Sequence, residues 1–172
     1  MRIIAGSRKG ARIFAPKGET RPTGDRVREA AFNLIGPVDD VAVLDLFAGS
    51  GAMGLEALSR GASSVVFVES DRDAQRTIER NLEKLGLKGA RIVKSDARRA
   101  LAAEAAAGRR YDLVLVDPPY RMLDSLLPTL STYLPSLLAE DGIVVLESPA
   151  REQPALPLTE RTSRKYGSVR LT

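Results

Sequence analysis

Residues 41–54, VAVLDLFAGSGAMG, restrict the possible folds more than any other stretch, because an apolar run of strand type breaks without a spacer into three glycines. Val41, Val43, Leu44, Leu46 and Phe47 make the nearly continuous apolar segment of a strand buried on both faces in a parallel sheet, and residues 52–59 read as a helix. Gly49, Gly51 and Gly54 follow the order G-x-G-x-x-G. Glycines so placed allow a tight turn, let backbone N–H groups approach a ligand, and let the helix pack closely on the strand. The pattern alone also describes a strand-to-helix turn with no ligand, so the rest of the chain must decide.

Beyond that turn the chain alternates strand and helix. Residues 64–69 (SVVFVE), 91–94, 111–116 (YDLVLV) and 143–147 are strand-like; residues 71–85 and 97–107 are helix-like, with Ala74, Ile78, Leu82 and Leu85 facing inward. The spacing predicts a helical region over residues 122–138 interrupted at Pro128 and Pro135, and a tail over 158–171 that pairs two strands turned at Tyr166-Gly167. This alternation predicts an α/β, Rossmann-like, doubly wound sheet in one domain, and 172 residues suffice to bury about 70% of the unfolded surface. The expected division is a basic extension over residues 1–40 and a ligand-binding core over 41–172.

Composition removes several reaction classes. The chain has no cysteine and no histidine, which excludes disulfides, a thiolate nucleophile, the commonest metal ligand and the usual neutral-pH base. The opening MRIIAGSRKG is too short an apolar run for a signal peptide and no later run approaches membrane-spanning length, so the expectation is a soluble, cytoplasmic, metal-free protein, monomeric and away from membranes.

The net charge of +4 matters less than its distribution. Residues 1–28 hold eight Lys or Arg against Glu19 and Asp25, a local +6, which leaves the remainder at −2. Residues 2–6 and 11–15 read as a hairpin with a basic tip. In RPTGDRVREAAFNLIG, Asp25 is the expected N-cap, Val27, Ala30, Ala31 and Leu34 form one apolar helical face, and Arg26 and Arg28 lie off it. A compact positive excess on a folded element favours an anionic polymer as partner over a merely solvated cap.

Three acids and an aromatic narrow the ligand and the chemistry. Glu69 closes the second strand at the spacing from Gly51 where a carboxylate accepts ribose hydroxyls. Asp45 lies at the mouth of the glycine loop, where a dinucleotide would place its pyrophosphate. Like charges about 5 Å apart at an effective dielectric of about 20 repel by roughly 3 kcal/mol, so S-adenosylmethionine, cationic and free of phosphate, fits better. Asp96 either meets the adenine amino group or caps the following helix. The fourth strand delivers Asp117-Pro118-Pro119-Tyr120 to the sheet edge where open α/β sheets do their chemistry. An Asp117 oxygen and the Pro118 carbonyl can hold both protons of an exocyclic amino group, favouring a more nucleophilic nitrogen. The prolines stiffen the turn, and Tyr120 offers a flat face to an unstacked base.

Asp117-Pro118-Pro119-Tyr120 is similar to the D/N-P-P-Y/F/W motif of amino-group methyltransferases, and DLFAGSGAMG looks like their cofactor loop. Together with MRIIAG, RPTGDRVREAAFN, FVESD and the closing YGSVRL, these segments resemble the bacterial RsmD family, which methylates guanine N2 in small-subunit 16S ribosomal RNA; the match runs over residues 1–171. The resemblance implies a class I S-adenosylmethionine-dependent methyltransferase fold. It assigns Asp117, Pro118, Pro119 and Tyr120 to the target guanine, and Asp45, Phe47, Ala48, Gly49, Ser50, Gly51, Glu69, Ser70, Asp96 and Ala97 to the cofactor. It assigns Arg8, Lys9, Arg12, Arg21, Thr23, Arg26 and Arg28 to RNA. The rivals are a DNA adenine-N6 methyltransferase, for which the chain lacks room for a sequence-reading domain, a dinucleotide-binding oxidoreductase, disfavoured by Asp45 and the tetrapeptide, and an inactive nucleic-acid-binding module.

Overall fold

The computed structural model describes residues 1–16 and 24–172. Among the described residues, seven strands, β1 (Ala42–Leu46), β2 (Ser64–Glu69), β3 (Ala90–Lys94), β4 (Tyr111–Val116), β5 (Leu138–Pro149), β6 (Arg164–Tyr166) and β7 (Val169–Leu171), form one sheet in the order β3-β2-β1-β4-β5-β7-β6. The first five pair in parallel; β7 runs antiparallel to both β5 and β6. The chain builds outward from β1 in one direction and then returns to its other side at β4. The C-terminal ends of β1 and β4 therefore flank the crevice where such sheets bind ligands.

Strand alternation gives each face its own core. Val43, Val65, Phe67, Leu113 and Leu115 pack with α1 (Asp25–Ile35), α2 (Ala52–Ser59), α3 (Arg72–Leu85) and the N-terminal arm through Phe32, Leu55, Ile78, Ile3 and Ile13. Leu44, Leu46, Val66, Val68, Val114 and Val116 pack with α4 (Ala97–Ala106) and α5 (Leu123–Leu137) through Leu101, Leu123, Leu126, Leu130 and Leu134. Among the described residues no helix is long and apolar enough to cross a membrane.

Four expectations change. The helical region is one unbroken α5, because Pro128 and Pro135 lie on its exposed side, where carbonyls deprived of their helical N–H partner face water while a leucine stripe anchors the other side. Among the described residues the arm forms one antiparallel bridge, Arg2 to Arg12, around a 3-10 turn at Gly6–Arg8 instead of a full hairpin. The tail keeps the expected pair of strands turned after Tyr166, now β6 and β7, but its strand structure begins at Arg164 instead of residue 158. Finally, α1 begins with Gly24 as N-cap and Asp25 as its first residue, and its buried stripe is Arg28, Ala31 and Phe32, so an arginine shares the core-facing side.

Candidate functional site

Four carboxylates gather where β2, β1, β4 and β5 end. Asp45, one residue before the end of β1, is buried, and its Oδ2 accepts the Gly54 N–H at 2.9 Å, tying the strand to the first turn of α2. Between them the chain turns through Phe47 in the left-handed region (φ 63°), a conformation that costs a side chain about 1–3 kcal/mol and that recurs at functional loops. Gly51 (φ 78°) is the left-handed N-cap of α2, and its N–H closes the turn onto the Ala48 carbonyl at 2.7 Å. Gly54 has no room for a side chain, since a Cβ there would meet Phe67 Cε1 at 2.3 Å.

Glu69 at the end of β2 holds this loop from the side. Its Oε2 accepts the Gly49 N–H at 2.8 Å and its Oε1 the Asp71 N–H at 2.8 Å, while Gln75 Nε2 donates to its backbone carbonyl. The loop is thus shaped before any ligand arrives. Burial pushes the Asp45 carboxyl up to about 8; the Gly54 N–H pulls the other way, and the negative charges of Asp117 and Glu69 add to the rise. A cationic ligand among these acids would restore the charge of Asp45, so the donor set suits a sulfonium and an ammonium better than a phosphate. Ser50 and Ala48 line the buried side of the turn, Ser70 is exposed beyond β2, and Asp96 is exposed and caps α4 by accepting the Arg99 N–H at 3.1 Å, with Ala97 buried behind it.

Across the switch point, β4 leads into Asp117, half-buried, and Pro118, buried. Pro119 is exposed and caps the 3-10 turn Tyr120–Met122; Tyr120 is 43% exposed, and its hydroxyl donates to Glu147 Oε1 at 3.3 Å. Glu147, only 9% exposed, escaped the sequence reading, although it ends the apolar run 143–147 as Glu69 ends 64–69, which was signal enough; β5 itself continues to Pro149.

The basic arm divides into charges that hold the fold and charges that face solvent. Arg28 is 0% exposed, with its Nη2 2.9 Å from Asp25 Oδ1 and also donating to the Arg2 carbonyl, and its Nε 3.6 Å from Glu56. The expected RNA contact at Arg28 is therefore corrected: its guanidinium is sealed beneath the arm. Glu56, equally buried, accepts the N–H groups of Ile4 and Ala5 at 2.8 and 2.9 Å and Arg60 Nε at 2.8 Å. Arg8 Nε donates to the Leu85 carbonyl at the end of α3, which half-buries that side chain. Lys9, Arg12 and Arg26 are exposed; Arg21 and Thr23 lie outside the described residues.

Two further elements were missed. Buried Asn81 on α3 accepts the Phe14 N–H at 2.7 Å and donates to the carbonyls of Phe14 and Ser50, both at 3.0 Å, so one amide joins the arm to the glycine loop. Above it the Phe14 ring, 38% exposed, lies 4.2 Å from the Arg80 guanidinium carbon and 4.6 Å from Lys84 Nζ. Arg72, Arg76, Arg80 and Lys84 recur every fourth residue along the exposed side of α3, a row legible in the sequence and passed over because it lies inside the core segment.

The chain matches the family model described as Conserved hypothetical protein 95 over residues 1–172. It is 45% identical over 152 residues, 86% of this chain and 82% of the relative, to YlbH of Bacillus subtilis, a protein provisionally named an rRNA methyltransferase. It is 40% identical over 152 residues, 86% of this chain and 74% of the relative, to ribosomal RNA small subunit methyltransferase D of Escherichia coli. A solved structure of a hypothetical protein from Thermus thermophilus superposes with a TM-score of 0.86 at 37% identity, covering 100% of this chain and 97% of that one.

Proposed function

The chain belongs to the family of conserved hypothetical protein 95, the RsmD family, and from that premise we propose that it transfers a methyl group from S-adenosylmethionine to guanine N2 in 16S ribosomal RNA of the small subunit. The observation that carries this reading is the placement of Asp117-Pro118-Pro119-Tyr120 across the switch point from the loop that Asp45 and Glu69 shape. Residues 41–172 serve as the cofactor-binding core and residues 1–40 as the RNA-contacting extension. The protein acts as a monomer in the cytoplasm.

In this reading Asp45, Phe47, Ala48, Gly49, Ser50, Gly51, Glu69, Ser70, Asp96 and Ala97 surround the cofactor, which supplies an electrophilic methyl on a positively charged sulfur. Asp117 accepts one proton of the guanine amino group and the Pro118 carbonyl the other. That pairing favours a nitrogen lone pair out of conjugation with the ring; as the carbon–nitrogen bond formed and the methyl–sulfur bond broke, S-adenosylhomocysteine would leave neutral and Asp117 would pass the surplus amino proton to solvent. Pro118 and Pro119 keep the two acceptors in place, where a misplacement of about 1 Å can cost about a hundredfold in rate. The ring of Tyr120 supports the extruded base.

For RNA contact, exposed Lys9, Arg12 and Arg26 are joined by Arg80 and Lys84 beside Phe14, and Arg28 and Arg8 keep the arm seated. The direct test offers labelled S-adenosylmethionine with unmodified ribosomal RNA, small subunits and duplex DNA in parallel, followed by nucleoside analysis. N2-methylguanosine from the ribosomal substrates alone is expected. N6-methyladenine from the DNA would overturn the target, and binding of cofactor without transfer to any substrate would indicate an inactive binder.

A further inference from the structure

Glu147 stands near the end of β5, and its surroundings give it a use different from that of Glu69. In the pairing of β4 with β5, Val116 lies opposite Leu146, so Asp117 and Glu147 are the next residues along the two neighbouring segments. Val116 and Leu146 belong to the core beneath α4 and α5, whereas Leu115 and Val145 face the opposite core. Alternation carried one residue further therefore places Asp117 and Glu147 on the side of the glycine loop. Glu147 is 9% exposed, and its Oε1 receives the Tyr120 hydroxyl at 3.3 Å, longer than the usual hydroxyl–carboxylate bond. Asp117, Tyr120 and Glu147 thus lie together at the end of the sheet.

The nucleobases differ in what they present beside an exocyclic amino group. Next to its N2 amino group guanine carries the N1–H donor, whereas adenine and cytosine carry a bare ring nitrogen beside theirs. A buried carboxylate is satisfied by the first and repelled by the second. We propose that Glu147 reads the N1–H of the target guanine while Asp117 and the Pro118 carbonyl hold its N2 amino group, so that base identity is set by β5 and methyl transfer by the end of β4. This assignment rests on the guanine-N2 reading above.

The test uses a small-subunit RNA fragment whose methylated guanine, first mapped with the wild-type protein, is replaced by 2-aminopurine. That base keeps the amino group at C2 but exposes a lone pair at N1. The wild type is expected to prefer guanine by roughly 100-fold or more in kcat/KM. Glu147→Gln, whose amide can donate to a bare N1, should lose roughly 10- to 100-fold on guanine without a matching loss on 2-aminopurine, so that the preference collapses. Tyr120→Phe removes the hydroxyl that meets Glu147 but keeps the ring, and should retain the preference whatever its rate. Cofactor affinity measured by calorimetry should be the same in Glu147→Gln and the wild type, which shows the variant to be folded. Equal losses on both bases, unchanged guanine activity in Glu147→Gln, or a collapsed preference in Tyr120→Phe would each overturn the assignment. A wild type that makes no N2-methylguanosine would instead remove the functional reading, and this inference with it.

Discussion

Two groups of charge lie on the same side of the sheet and differ in balance. Beneath the arm, Arg28 and Glu56 meet with Asp25, Arg60 and the N–H groups of Ile4 and Ala5, so that cation faces anion and acceptor faces donor. At the strand ends Asp45, Glu69, Asp117 and Glu147 are all acids, and burial together with the negative charges of Asp117 and Glu69 holds the Asp45 carboxyl near 8. Complementary charge closes on itself and joins parts of the chain. Like charge gathered at a crevice favours a cation or the donor edge of a base.

Substitutions should separate the two groups most sharply at their centres. Asp117→Ala is expected to lower methyl transfer by about 100- to 1000-fold while leaving cofactor affinity, measured by calorimetry, within about twofold. Loss of both would mean that the strand-end group also holds the fold. Glu56→Gln should cost about 3–5 kcal/mol in urea unfolding, because it strands the buried Arg28 guanidinium. A cost below about 1 kcal/mol would show the two groups to be alike in kind.

Asp45→Asn, which keeps an oxygen for the Gly54 N–H, should not destabilise the protein at pH 8 and should remove a pH dependence of the wild type. Because the folded value near 8 lies above the ordinary 3.8, the folded state holds more protons than the unfolded one between these limits. Stability therefore falls as pH rises through that window. Binding of a cationic cofactor favours the charged carboxylate, so its affinity should rise with pH up to about 8, by at most about tenfold per unit. A flat wild-type profile would detach Asp45 from the ligand. The smallest expected effect is at the surface: Arg80→Gln with Lys84→Gln should flatten the salt dependence of RNA binding by about 0.7 per lost phosphate contact. An unchanged slope would return the interface to the arm alone.

The sheet and its crevice were legible because their signals are local. Apolar runs, a glycine loop and terminal acids fall within short windows, and α2 forms over the same residues, 52–59, that its spacing indicates. Arg28 was misread for the opposite reason. Val27, Ala30, Ala31 and Leu34 suggest an apolar face, but a distant Glu56 buried beneath α1 makes the arginine side the core-facing one, and no local pattern announces a partner so far along the chain. Asn81 resembles any polar residue in an amphipathic helix until its amide is seen bonded to Phe14 and Ser50. The prolines of α5 were read by their intrinsic preference, which five buried leucines on the other side of the helix override.

The tethering of the arm also sets an order of events during synthesis. Ile4 needs Glu56, 52 residues later; Phe14 needs Asn81, 67 residues later; and Arg8 needs Leu85, 77 residues later. At about 5–20 residues per second, the basic arm is made before these partners and spends roughly 3–15 seconds without its docking sites. The nascent arm therefore emerges as a charged tether, seated only once α3 has been translated.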